Sequence, residues 1–112
     1  MADSHTSEEL INQAASILGK FVPGEALGPV EHDTIDSVID DVLAEISSIV
    51  DVDRNDVPTR LFETIARLVA IYAAGKFSNQ QPDLNVIYQH EQRLRFLVAN
   101  KPTYEPLRAE YF

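Results

Sequence analysis

Residues 35–50 carry aliphatic side chains at helical spacing, and this pattern constrains the fold more than any other part of the sequence. The apolar positions recur at i, i+3, i+4 and i+7: Ile35, Val38, Ile39, Val42, Leu43, Ile46, Ile49 and Val50. Many of them are β-branched, a residue type that favours strands. However, the 3.6-residue period is that of a helix, and a segment of about 17 residues is longer than a typical strand. We therefore predict an amphipathic helix that begins at Asp33 or Thr34 and reaches Val50.

Acidic side chains lie on the opposite face of this predicted helix, at Asp36, Asp40, Asp41 and Glu45. Paired carboxylates can perform acid–base catalysis where a desolvated pocket separates their pKa values. Because these four side chains lie away from the apolar stripe, we interpret them as a solvated helix face. The functional alternative is an acidic patch that repels or orients a partner.

A first helix and a connection are predicted before this segment. Thr6 and Glu9 form a capping-box pattern, and apolar residues then recur at helical spacing up to Gly19. Residues 20–32 contain two prolines and two glycines, which block a continuous helix and predict an ordered connection.

Two more helices are predicted after it. One spans Pro58 to Ala74 with Gly75 at its end, and the other spans Asp83 to Asn100 with Asp83 as its cap. Their predicted core positions are Leu61, Phe62, Ile65, Leu68, Val69 and Tyr72 in the third helix and Leu84, Ile87, Tyr88, Leu94, Leu97 and Val98 in the fourth. Short loops favour helices that pack side by side, so the predicted fold class is all-α, a small four-helix bundle.

The last twelve residues are predicted to form an extended C-terminal tail. Pro102 and Pro106 oppose helix, while Tyr104, Leu107, Tyr111 and Phe112 are unusually apolar for a solvated segment. Extended, such a tail reaches about 40 Å, enough to cross to an adjacent subunit. The tail could pack on its own domain or dock in a partner's groove through its aromatic anchors. The predicted organisation is a helical domain at 1–100 and a docking tail at 101–112.

Negative charge is concentrated in the first half of the chain. The net charge is −9, composed of −11 over residues 1–56 and +2 over residues 57–112. The densest basic cluster is Arg93 with Arg95, too small a footprint for tight binding to nucleic acid, so sequence-specific binding to DNA or RNA is disfavoured. With 112 residues, the chain buries a limited share of its own surface, and this favours oligomerisation.

No catalytic, cofactor or metal site is predicted. The segment DVDRNDVP resembles the opening of a calcium loop, but Asp56 replaces the glycine at the turn and Phe62 replaces the closing glutamate, so a solvated, helix-capping loop is favoured. The histidines lack metal-site spacing, and nucleophile-elbow and phosphate-loop motifs are absent from the sequence. We therefore expect a non-enzymatic protein, without a secretory signal or membrane span.

The order of these features resembles the head-to-tail connector, or neck adaptor, proteins of tailed bacteriophages. The resemblance is carried by the helix TIDSVIDDVLAEISSIVDV, the segment VPTRLFETIARLVAIYAAGKF after a polar loop, and the closing VIYQHEQRLRFLVANKP. In that family a helix of alternating aspartates and aliphatic residues precedes a proline-started helix, and a closing helix with an E-x-x-L core leads to a short tail. Glu91 and Leu94 stand at the corresponding positions here.

The resemblance implies a homo-oligomeric ring of about a dozen copies, seated between the portal protein and the next neck or tail component, with DNA passing through the lumen. The protein would then reside in the virion neck, and in the host cytoplasm during assembly. The family's tail often contacts the portal, which assigns partner binding to Tyr104, Pro106, Leu107, Tyr111 and Phe112. The alternative is a non-viral helical module or regulator that captures one protein partner through the same tail.

Overall fold

The computed structural model describes residues 4–20 and 24–99. These residues form four helices, α1 (Ser7–Ile17), α2 (Pro29–Glu45), α3 (Thr59–Ser78) and α4 (Leu84–Ala99), and two short strands, β1 (Ser4–His5) and β2 (Val57–Pro58). The strands pair antiparallel, with Ser4 opposite Pro58 and His5 opposite Val57. The predicted all-α, four-helix fold is confirmed, with this small strand pair as an addition. Within the described ranges no helix is long and apolar enough to cross a membrane.

Helix α3 is the centre of the fold, because α1, α2 and α4 all pack against it. Helices α2 and α4 make few contacts with each other. Alanines at positions 66, 70 and 73 of α3 are buried, which lets neighbouring helices approach closely. The largest fully buried side chains come from all four helices, from β2 and from the turn after α2: Leu10, Ile11, Ile35, Val38, Ile39, Val42, Ile46, Val57, Leu61, Ile65, Leu68 and Leu94.

Helix α2 begins and ends earlier than the sequence predicts. Pro29 occupies its first turn, where the missing N–H is no loss and the fixed φ suits a helix. At the other end, the Ser47 hydroxyl donates to the Ala44 carbonyl at 2.7 Å, while the amides of Ile49 and Val50 both donate to the Ile46 carbonyl. The backbone amides of Ser47 and Ile49 each donate to the carbonyl three residues earlier, where an α-helix would use the fourth, so residues 46–49 fold as a turn.

Helix α3 begins just after Pro58 and continues through Gly75, where the sequence predicts its end. The terminating residue is Asn79, whose φ of 58° is left-handed and whose amide donates to the Gly75 carbonyl. Gly75 is needed for space: a Cβ there would lie 2.7 Å from the Gln80 carbonyl oxygen of the returning chain.

The predicted caps of α1 and α4 are confirmed. Glu9 N donates to Thr6 Oγ1 at 3.3 Å, and Thr6 N donates to Glu9 Oε1 at 2.9 Å, which completes the capping box. In α4, Asn85 N donates to Asp83 Oδ1 at 2.9 Å. The loop before α3 provides no comparable cap, because the residue at the cap position of α3 is Pro58 and no side-chain hydrogen bond caps the helix there. The predicted capping role of that loop is therefore wrong.

Candidate functional site

The outward side of α4 carries large apolar side chains in contact with solvent. Leu84 is 76% exposed, Tyr88 61% and Phe96 54%. The sequence places Leu84 and Tyr88 in the core, and this prediction is wrong. Each residue of a helix is rotated by 100° around the helix axis from the one before. Leu84 and Tyr88 are therefore rotated roughly 70° and 110° away from the direction midway between the buried Ile87 and Leu94. We define the α4 outer face as the exposed residues Leu84, Tyr88, Gln92, Arg95 and Phe96.

Positive charge accompanies these apolar side chains. The Arg93 guanidinium lies 5.4 Å from the centre of the Phe96 ring, within range of a cation–π interaction. Within residues 4–20 and 24–99, neither Arg93 nor Arg95 forms an ion pair with a carboxylate. Through Arg95, the α4 outer face is both apolar and basic, and Arg93 adds positive charge next to Phe96.

The outward side of α2 has the opposite charge. Helix α2 contains six acidic residues and neither lysine nor arginine. We define the α2 outer face as the exposed residues Val30, Asp33, Ser37, Asp41 and Ala44. Val30 is 70% exposed, so this face also presents an apolar side chain. Of the predicted acidic face, Asp40, Asp41 and Glu45 are exposed and Asp36 is half-buried.

Two of the predicted acidic residues form ion pairs with an arginine side chain of the same chain. Arg54, in the loop between α2 and α3, forms ion pairs with Asp36 and Asp40, the latter at 3.3 Å. The Arg54 side chain is 24% exposed, so these contacts fix the loop against α2. Asp36 and Asp40 thus hold the fold together and are less available to a partner than Asp33 and Asp41.

The calcium-like loop is organised by hydrogen bonds within the protein. Asp53 Oδ1 accepts from the Asn55 amide at 2.8 Å, and the Asp53 carbonyl accepts from the Asp56 amide at 2.9 Å. The Ser7 hydroxyl donates to Asn55 Oδ1 at 2.9 Å, which joins the loop to α1. Among the described residues no group of three or more acidic or histidine side chains could hold a metal ion.

Two of the three histidines, His5 and His32, contact neighbouring side chains, which their sequence context does not reveal. The His5 ring stacks on Phe62 with centroids 4.1 Å apart, and this contact joins β1 to α3. His32 Nε2 lies 2.7 Å from Glu8 Oε1, and this hydrogen bond raises the pKa of His32. Burial, followed by the nearby Arg67 charge, lowers the pKa of His90.

An open cleft of about 600 Å³ lies beside the end of α3, lined by Tyr72, Gly75, Lys76 and residues 79–82. Burial raises the pKa of the Tyr72 phenol, and the negative charges of Glu45, Glu91 and Asp41 raise it further, in that order. Tyr72 is therefore a neutral hydroxyl at physiological pH.

A smaller apolar groove of about 250 Å³ lies where α1, α3 and α4 meet. Its polar side chains are Arg67 and His90, and Arg67 pairs with Glu63 at 2.9 Å. Its apolar lining consists of Ile17, Leu18, Ala70, Ile71, Ala74 and Val86. A groove of this composition suits an apolar side chain of a partner.

The tail residues to which the sequence assigns partner binding lie outside the described ranges: Tyr104, Pro106, Leu107, Tyr111 and Phe112. The structure therefore contributes two surfaces that the sequence did not single out, the α4 outer face and the apolar groove. No family model, no curated protein and no solved structure matches this chain.

Proposed function

We propose that the protein is a head-to-tail connector of a tailed bacteriophage, assembling as a ring between the portal protein and the next neck or tail component. This is a structural role in the virion neck, with no catalytic step and no cofactor. The observation that carries it is the exposed apolar surface of α4. A helix that buries only Ile87 and Leu94 fully, and leaves Leu84 and Tyr88 in water, favours association with another protein surface.

The arrangement of the helices supports such a building block. Helices α2 and α4 both pack on α3 and have outward sides of different chemistry. A subunit with two unlike surfaces can associate head to tail, which is how cyclic assemblies are generated. The Arg54 ion pairs and the β1–β2 pair hold the connecting loop and the N-terminal residues on the helices, as expected of a stable structural part.

The charge distribution is compatible with DNA passing through a ring. A net charge of −9 repels the phosphate backbone, and the basic residues are too few for a counterion-displacing footprint. DNA would cross such a channel with little adhesion. Binding to the portal is assigned to the tail at 101–112, through its tyrosine, leucine and phenylalanine side chains.

The experiment is attachment to the portal protein of the phage that encodes the chain, with and without residues 101–112. The buried core described above lies between Leu10 and Leu94, so the shortened chain is expected to keep its helical circular dichroism. We expect the full chain to co-sediment with portal rings and the shortened chain to remain in the supernatant. Failure of the full chain to attach would contradict the proposal.

A second candidate is a helical interaction module that captures one protein partner outside a virion. The apolar groove between α1, α3 and α4 favours this function, because it could hold a single apolar side chain of a partner. The two candidates predict different stoichiometries. A connector binds a portal as many copies in a ring, whereas a module forms a complex of one or two copies with its partner.

A further inference from the structure

We infer that the α4 outer face of one copy binds the α2 outer face of a second copy, which makes the ring contact heterologous. The inference rests on the proposed ring and names the surfaces that form it. The occupant of the exposed α4 face is thus a second copy of this chain.

Charge complementarity favours this pairing of faces. Helix α4 contributes Arg93 and Arg95 against one acidic residue, Glu91, whereas α2 contributes six acidic residues and no base. Asp41 forms no ion pair among the described residues, and Arg95 is likewise unpaired there. Contact between the two outer faces would bring these groups together, whereas α4 against α4 or α2 against α2 would place like charges together.

The shapes of the two faces are also complementary. On the α2 outer face Ser37 and Ala44 are small and exposed, which leaves room for a large side chain from another helix. On the α4 outer face Tyr88 and Leu84 protrude into solvent. Tyrosine is a frequent interface anchor because it buries a large area while only two side-chain torsion angles lose their freedom. Val30, 70% exposed, adds an apolar contact on the acidic side.

The placement of the two faces favours contact between copies over contact within one copy. Both faces point away from the core, and α2 and α4 make few contacts with each other while both pack on α3. One copy cannot satisfy its own α4 outer face with its own α2 outer face, but each copy can offer both faces to two neighbours. Such a contact repeats from copy to copy and forms a ring when the rotation between neighbours closes.

The expected contact between two isolated copies is weak. Sixteen residues of α4 span about 24 Å, and one helix face of that length covers an area well below the ~800 Å² per partner of a standard interface. Pairs should therefore be transient in dilute solution and become stable when a ring closes or a portal holds the copies side by side.

Cysteine cross-linking tests the contact directly, because the natural sequence contains no cysteine. Ser37→Cys marks the middle of the α2 outer face, and Gln92→Cys marks the middle of the α4 outer face; both positions are exposed. With a short bis-maleimide linker, a mixture of the two single variants should give a covalent dimer. Neither variant alone should cross-link to itself, since the two faces differ.

The matched control pairs Gln92→Cys with Ser16→Cys, an exposed serine on α1 outside both faces. This mixture should give at most one tenth of the dimer yield. Equal yields would show random collision and overturn the inference. Self-cross-linking of either single variant would indicate a symmetric contact and also overturn it, as would the absence of any dimer in the test mixture.

Further substitutions on the same cross-linking background identify the side chains responsible. Tyr88→Ser should lower the dimer yield at least about tenfold, and Arg95→Glu about fivefold. Asp41→Lys on the partner should restore the yield lost with Arg95→Glu. Lys76→Glu, an equal charge change at an exposed α3 position outside both faces, should leave the yield unchanged. If Lys76→Glu lowered the dimer yield as much as Arg95→Glu, the effect would come from the net charge of the protein, which contradicts the assigned contact.

Portal attachment of the same variants separates this inference from the proposed function. Attachment to the portal without the cross-link between the Ser37→Cys and Gln92→Cys variants would remove the assigned contact and leave the connector function standing. A specific cross-link without portal attachment would leave the contact standing and remove the connector function.

Discussion

His32 Nε2 lies 2.7 Å from Glu8 Oε1, and this contact joins the first turns of α2 and α1. The contact therefore links the starts of the two helices directly. The hydrogen bond to Glu8 is the main reason that the pKa of His32 is raised.

Stability should therefore decrease as the pH rises through the titration of His32. Protonated His32 is favoured in the folded state, so its contribution is complete below the ordinary value of about 6.5 and is lost above the raised pKa. Because both side chains are substantially exposed, we expect at most about 1 kcal/mol. The measurement is chemical denaturation at several pH values, compared between the natural chain and Glu8→Gln.

Nuclear magnetic resonance provides the matching control, because it follows the titration of each histidine side chain separately. In the natural chain His32 should titrate above, and His90 below, the ordinary histidine value. Glu8→Gln should return His32 toward that value and leave His90 unaffected. A His32 titration unchanged by Glu8→Gln would contradict the assigned hydrogen bond.

Leucine-to-alanine changes on α4 should separate its buried and exposed sides. Leu94 is fully buried, so Leu94→Ala should lower the free energy of unfolding by about 2–5 kcal/mol. Leu84 is 76% exposed, and Leu84→Ala should change it by no more than about 0.5 kcal/mol. Urea denaturation of both variants checks this, and similar losses would contradict the described orientation of α4.

Replacing Arg54 should loosen the loop before α3 without disrupting the core. Arg54→Ala removes the ion pairs to Asp36 and Asp40, and we expect a loss of about 1 kcal/mol in unfolding free energy. Amide hydrogen exchange in residues 50–57 should accelerate, while exchange in the middle of α3 changes little. Arg67→Ala, which removes an exposed pair within α3, is the control and should leave the loop's exchange unaltered.

Gly75→Ala should destabilise the protein, although alanine inside a helix is normally more stable than glycine by about 1 kcal/mol. The added methyl would meet the Gln80 carbonyl oxygen at 2.7 Å, and the turn between α3 and α4 would have to shift. We expect a net loss of about 1 kcal/mol in unfolding free energy, measured by thermal or urea denaturation. A stabilised variant would contradict the close approach of the returning chain.

Features that depend on nearby residues are the ones that can be predicted from the sequence. The capping box of α1 and the Asp83 cap of α4 use residues within three positions of each other, and both are confirmed. The apolar period of α2 identifies Ile35, Val38, Ile39 and Val42 as core residues, and all four are buried. The predicted start of this helix is wrong because a proline that blocks a helix interior, such as Pro29, is also favoured in a first helical turn.

Features that depend on distant residues could not be predicted in the same way. The pairing of His5 with Val57 and the ion pairs of Arg54 with α2 arise only after the helices have packed on α3. The exposure of Leu84 and Tyr88 has the same origin. Periodicity shows that α4 is amphipathic, but only the packing of α3 determines which apolar residues are covered.

The surfaces on which the proposed function rests were the hardest to predict from the sequence. The acidic residues of α2 and the arginines of α4 are visible in the chain, yet their relation to each other appears only when both helices are packed on α3. The tail at 101–112 remains a prediction, since its residues lie outside the described ranges.

The mass of the complex formed with purified portal rings tests the connector function most directly. One chain has a mass of 12.5 kDa. We predict that native mass spectrometry will show a single discrete gain of about 150 kDa per portal, corresponding to a closed ring of about a dozen copies. No gain in mass, or the gain of only one or two copies at saturating concentration, would contradict the connector function.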